Sequence, residues 1–122
     1  MTFAALARDL SENEIWEEKH LFNNTDIKRM KDVEFCGTLI LLYRQGIIDQ
    51  TDQKPLNQAY EDLQTGYTDA ENDKQHICDA IIELRKFIED DEILKFVKRK
   101  AQLYTVFFCY FLLLKKKNEN SY

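Results

Sequence analysis

Residues 101–114 read AQLYTVFFCYFLLL, held between Lys98-Arg99-Lys100 and Lys115-Lys116-Lys117. Whether this run crosses a bilayer or fills a protein core decides the fold. Length discriminates, because a helix that spans the hydrocarbon layer needs about 20 consecutive apolar residues. The run has 14, with Gln102 and Thr105 near its start, and upstream extension meets three cations at once. It therefore reads as a buried helix outside the membrane, with Phe107, Phe111 and Leu112 turned inward. The three lysines that follow suit the negative end of its macrodipole, each contributing roughly 0.3–1 kcal/mol when exposed.

The rest of the chain supports a helical core. Its 122 residues fit one domain, since domains most often run to about 100–150 residues. Only three glycines and one proline occur among 44% apolar and 32% charged residues. An all-β fold needs far more turn-formers than that, whereas long helices do not. Phe3, Leu6, Ala7 and Leu10 follow helical spacing. Ser11-Glu-Asn-Glu14 has the form of a capping box, opening a short helix with Ile15 and Trp16. Asn23-Asn24-Thr25-Asp26 reads as a loop, because these side chains compete for backbone hydrogen bonds.

Asp32 and Glu34 suit the positive end of a helix reaching about Gln45, and Gly46 suits its left-handed cap. Val33, Phe35, Cys36, Leu39, Ile40, Leu42 and Tyr43 leave that helix little polar surface, which makes it central. Pro55 fits a first helical turn, ahead of the stripe Leu56, Ala59, Tyr60, Leu63 and the stop at Gly66. Thr68-Asp-Ala-Glu71 reads as another capping box, before Ile77, Ile81, Leu84 and Ile88. Asp90 and Asp91 break that run and cap a last helix from about Glu92. The expected fold is all-α: a compact single-domain bundle of five or six helices over residues 1–117, with a polar tail at 118–122.

The net charge of −5 argues against the whole surface binding nucleic acid. Residues 93–117, however, hold seven Lys or Arg and no Asp or Glu. On one continuous helix, Lys95, Lys98, Arg99 and Gln102 would form a solvated face opposite Phe96, Val97 and Leu103. With Lys100, these cations are the candidate nucleic-acid contact. Cys36, Cys78 and Cys109 lie in apolar surroundings without a Cys-x-x-Cys pair, so they read as reduced core thiols in a cytoplasmic protein. Residues 1–10 lack the basic-then-apolar leader of a secreted chain.

Convergent catalytic groups are hard to find. His20 and His76 stand in no metal-binding spacing and read as surface residues. Serine occurs only at positions 11 and 121, one a cap and the other in the tail. Isolated glycines at 37, 46 and 66 make no phosphate loop. Adjacent carboxylates such as Asp90-Asp91 and Glu17-Glu18 point about 100° apart on a helix and do not work as an acid–base pair. No enzyme activity, metal or cofactor is expected.

Residues 23–35, NNTDIKRMKDVEF, precede this buried helix and its Gly46 stop. Their Arg-Met-x-Asp-x-Glu segment, here Arg29, Met30, Asp32 and Glu34, resembles the helical half of the GmrSD-type ParB/sulfiredoxin-like family, prokaryotic proteins linked to restriction and phage defence. FAALARDLSENEIW, residues 3–16, is similar to the family's preceding helix. The activity presumed for the family depends on an α/β part with an Asp-Gly-Gln-Gln-Arg-like element, which this sequence lacks. The resemblance thus implies a helical half without catalysis. Physically, Arg29, Asp32 and Glu34 would form an ion-pair cluster that fixes the helix entry, with Met30 and Val33 pointing inward.

The expected function is a non-catalytic helical interaction or regulatory module, with a protein partner or self-association. The alternative is a nucleic-acid-binding module that uses the basic last helix.

Overall fold

The computed structural model describes residues 1–46 and 52–119. Among them are eight helices and no strand: α1 (Phe3–Ser11), α2 (Glu14–Glu18), α3 (Asn24–Lys28), α4 (Lys31–Gln45), α5 (Lys54–Asp62), α6 (Ala70–Phe87), α7 (Asp91–Val97) and α8 (Lys100–Glu119). The fold is all-α, and no described helix is long and apolar enough to cross a membrane. The count exceeds five or six for two reasons. The Asn23 side chain accepts from the Asp26 N–H while Asp26 accepts from the Asn23 N–H, which turns the expected loop into α3. The expected last helix also splits into α7 and α8. Because α8 runs through Glu119, the proposed tail boundary falls inside a helix; residues 120–122 lie outside the described residues.

Helix α4 is the central strut. Cys36, Leu39, Ile40 and Leu41 are wholly buried, and α1, α3, α5, α6 and α8 all pack on it. The Thr38 hydroxyl bonds back to the Phe35 carbonyl at 2.6 Å, so its polar atom is satisfied inside the core. Gly37 sits where α1 and α5 press closest. A Cβ there would stand 2.8 Å from Leu56 Cδ1 and 3.5 Å from Phe3 Cε1. That close approach accounts for a glycine in mid-helix despite its intrinsic penalty of about 1 kcal/mol.

Phe3, Leu6, Ala7 and Leu10 bury the inner face of α1 as their spacing predicts. Trp16 follows on α2, with its indole N–H donating to the Leu10 carbonyl at 2.8 Å. Its ring packs against Phe22, Phe35 and Phe107, with centroids 5.6–6.4 Å away. The aromatic file continues from Phe107 to Phe111, Tyr43 and His76 along the α4–α8 seam. Since Phe35 meets Phe107 and Tyr43 meets Phe111, α4 and α8 run in the same direction.

Several expectations are corrected by local geometry. Ser11 belongs to α1 and donates to the Arg8 carbonyl, while Asn13 caps α2 by accepting from the Ile15 N–H. Asp69, with no side-chain cap bond, precedes α6, so Thr68 and Glu71 form no capping box. Asp90 caps α7 as anticipated, accepting from Glu92 and Ile93 N–H groups. Met30 is half-exposed rather than inward, because its left-handed backbone (φ 57°) reverses the chain between α3 and α4. Phe107 and Phe111 are buried, but Leu112 is 40% exposed, since α8 packs by one face only. Cys109 lies on its outer face and is no core thiol, whereas Cys36 is buried and Cys78 half-buried; all three are free.

Candidate interaction surfaces

At the end of α4 nearest Gly46, an open groove lies between α4, α6 and α8. Its walls include Tyr43, His76, Phe108, Leu112, Leu114 and Lys115. Beside them, Leu113 is 66% exposed on α8. The groove's firm side is a charged network. Asp73, only 3% exposed, accepts from Arg44 Nη1 at 2.8 Å and from the Tyr67 hydroxyl at 2.5 Å, both at Oδ2. Asp69 adds a longer pair to Arg44 at 3.9 Å, and the guanidinium lies over the Tyr67 ring, 5.1 Å from its centroid.

Burial, and then the bond to Asp73, pushes the Tyr67 phenol far above its ordinary pKa. The Asp73 bond is also the main cause that raises Arg44. Burial raises Tyr43 too, with the Asp73 charge adding to it. His76 stacks on Tyr43 with centroids 5.2 Å apart and planes 20° apart. It is half-buried against the expected surface placement, while His20 is exposed in a left-handed turn at φ 53°.

Sequence reasoning missed this network because Arg44 lies 29 residues from Asp73 in the chain. One signal pointed to it. Asp73 falls on the same buried stripe as Ile77, Ala80, Ile81 and Leu84, and a carboxylate on such a stripe needs a partner.

A second groove lies at the opposite end of α4. Trp16, Phe22 and Ile27 give it an apolar floor, rimmed by Glu12, Glu14, Glu17, Glu18 and Asp32. Glu18 is engaged by Arg85 at 2.8 Å and lies 4.0 Å from Lys19; its Arg85 bond holds the carboxyl below its usual pKa. Among the described residues, Glu12, Glu14 and Glu17 form no ion pair, and all three are exposed. Ile27 is 46% exposed at the groove's edge.

The Arg29, Asp32 and Glu34 segment is arranged differently from the expected ion-pair cluster. Lys31 Nζ lies 3.3 Å from Glu34, and Gln53 Nε2 donates to the other Glu34 oxygen at 2.8 Å. Arg29 is exposed and in no ion pair among the described residues. The entry to α4 is fixed by Met30's left-handed turn and by Glu34's neighbours.

The basic cluster is also divided. The break at Lys98–Arg99 separates Lys95 on α7 from Lys100 on α8, so no single helix face carries the four cations. It buries Val97 and Leu103 together and leaves Phe96 half-exposed, against its expected place in the core. Lys95 lies 3.8 Å from Glu92. Lys100 is turned over the Phe22 ring, 4.7 Å from its centroid, and burial lowers its pKa. Lys98 and Arg99 stay exposed at the turn.

Among the described residues, no group of three His, Cys, Asp or Glu side chains could hold a metal ion. No family model, no curated protein and no solved structure matches the chain.

Proposed function

We propose that this chain is a non-catalytic helical protein-interaction module that binds a partner through the Gly46 end of the α4–α8 pair. The observation that carries the reading is the pair Leu112 and Leu113, 40% and 66% exposed on the last described helix beside an aromatic-walled groove. Covering a half-exposed leucine contributes on the order of 1 kcal/mol, so leaving two of them on a tip flanked by cations suits recognition better than solubility. Lys115 and Lys116 beside them favour an acidic amphipathic partner. On this reading, the likeness of residues 23–35 to ParB/sulfiredoxin-like restriction and phage-defence proteins makes the chain the counterpart of their helical half. Its partner is then protein rather than substrate.

The test is an anisotropy titration with a labelled helical peptide that carries leucines on one face and glutamates on the other. Saturable binding that weakens at least tenfold in Leu113→Asp is expected. Absent binding, or binding indifferent to that substitution, refutes the reading. Leu113 is exposed enough for the variant to fold.

A further inference from the structure

The two ends of this molecule are chemically complementary. At the Gly46 end, α8 presents Leu112 and Leu113 followed by exposed Lys115 and Lys116. At the other end, Trp16, Phe22 and Ile27 floor a groove whose rim carries Glu12, Glu14, Glu17 and Asp32. Lys100 lies over Phe22 at this same end, with Lys98 and Arg99 next to it in the chain, while Arg85 and Lys19 serve Glu18; Glu12, Glu14 and Glu17 remain in no ion pair among the described residues. The sequence carries the same contrast, with four acids within residues 12–18 and three consecutive lysines at 115–117.

We infer that the acidic groove is the docking site for the Leu112–Lys116 tip of a second copy of this chain, so that molecules associate head to tail. The inference rests on the proposed interaction role of that tip and names its partner. The tip cannot reach the groove of its own molecule. The 15-residue α4 separates the two ends, a span of about 22 Å at 1.5 Å per residue. Leucines meeting Ile27, the exposed apolar side chain of this groove, would supply the apolar contact. Lysines meeting the glutamate rim would set the register and favour opposite ends over like ends. Such an interface joins different patches on the two copies, so it grows into a ring or an open chain rather than stopping at a symmetric pair. Each contact is small and charge-dependent, in the class of weak, transient interfaces below about 1,200 Å².

The experiment is light scattering or sedimentation on the full chain, from about 10 μM to about 1 mM, a range suited to a weak contact. Average mass should rise with concentration at low salt and fall back to monomer at about 1 M salt, where the Debye length shrinks to about 3 Å. Two variants then separate the surfaces, each first checked for unchanged circular dichroism. The tip variant is Leu113→Asp with Lys115→Ala and Lys116→Ala. The groove variant is Glu12→Lys with Glu14→Lys and Glu17→Lys, for which Glu→Gln at the same positions is the milder form. Each should be monomeric alone, and an equimolar mixture should stop at a 1:1 pair, because only one working tip and one working groove remain. A wild-type chain that stays monomeric at low salt overturns the inference. So does association that survives the groove changes, or a mixture that stays monomeric. Peptide binding at Leu113 alongside a strictly monomeric chain would leave the interaction role intact and remove only the self-docking.

Discussion

Replacing Arg44 by Met tests whether the charged network under the first groove holds the fold. The substitution keeps the aliphatic stem over Tyr67 and removes the guanidinium that donates to Asp73 at 2.8 Å. Asp73, with a side chain 4% exposed, is then left with the Tyr67 hydroxyl alone. Breaking a buried pair costs about 3–5 kcal/mol. Here the Arg44 side chain is 29% exposed, so water can partly replace it and the expected loss is about 2 kcal/mol. For a domain of this size, that lowers the unfolding midpoint by about 8 °C.

Trp16, the single tryptophan, is 3% exposed among three phenylalanine rings, so its fluorescence should follow the loss of the core. Tyr67→Phe should cost about 1.5 kcal/mol. The double variant should exceed the sum by about 1 kcal/mol, because it strips both donors from one buried oxygen. Arg99→Met, at an exposed turn, is the control and should stay within about 0.5 kcal/mol of wild type. A shift for Arg44→Met no larger than that of Arg99→Met would refute the assignment of Asp73 as a buried, paired carboxylate.

Because folded Tyr67 holds its proton well above the ordinary phenol pKa while the unfolded side chain loses it near pH 10, stability is intact below about pH 10 and falls above it; urea unfolding across that range should show a shallower fall in Tyr67→Phe. A disulfide reagent should modify Cys109 rapidly and Cys78 more slowly, while Cys36, whose thiol is pushed far up by burial, should react only on unfolding; prompt modification of Cys36 in the native protein would contradict its burial. For duplex DNA held by the Lys95–Lys100 cluster alone, the exposed Lys98 and Arg99 permit about two phosphate contacts, so that binding should weaken with a log–log salt slope near −2. A slope near −4 that falls back to near −2 in Lys95→Ala with Lys100→Ala would show that these two also leave their present neighbours.

The parts of this architecture that sequence reveals are those set by local chemistry. From Phe35 to Leu42 α4 carries no charged side chain and has no solvent face, and a 14-residue apolar run is too short for a bilayer, so both read directly as core. Asp90 at the head of α7 is equally legible, since a short carboxylate before a helical run caps by its own reach. What escapes such reading depends on distant partners or on turns without glycine. Met30 takes a left-handed backbone unmarked by its side chain, and the break at Lys98–Arg99 carries no Gly or Pro. The Asp73 network joins α4 to α6 across 29 residues. At the two grooves, the sequence shows the Glu17-Glu18 pair and the Lys115–Lys117 run but not their placement. Only the parallel course of α4 and α8 places them at opposite poles.

Helix α1 is enclosed by neighbours that all come later in the chain: α4, α5 and α6. Phe3 even gives its N–H to the carbonyl of Leu63, 3.1 Å away. On a ribosome, the oily side of this helix must therefore wait for its full lodging until Phe87 has emerged. At about 5–20 residues per second, that delay lasts roughly 4–15 s. Nascent chains halted before α6 should be the species that clump or recruit chaperones, and a finished α6 should end that vulnerability.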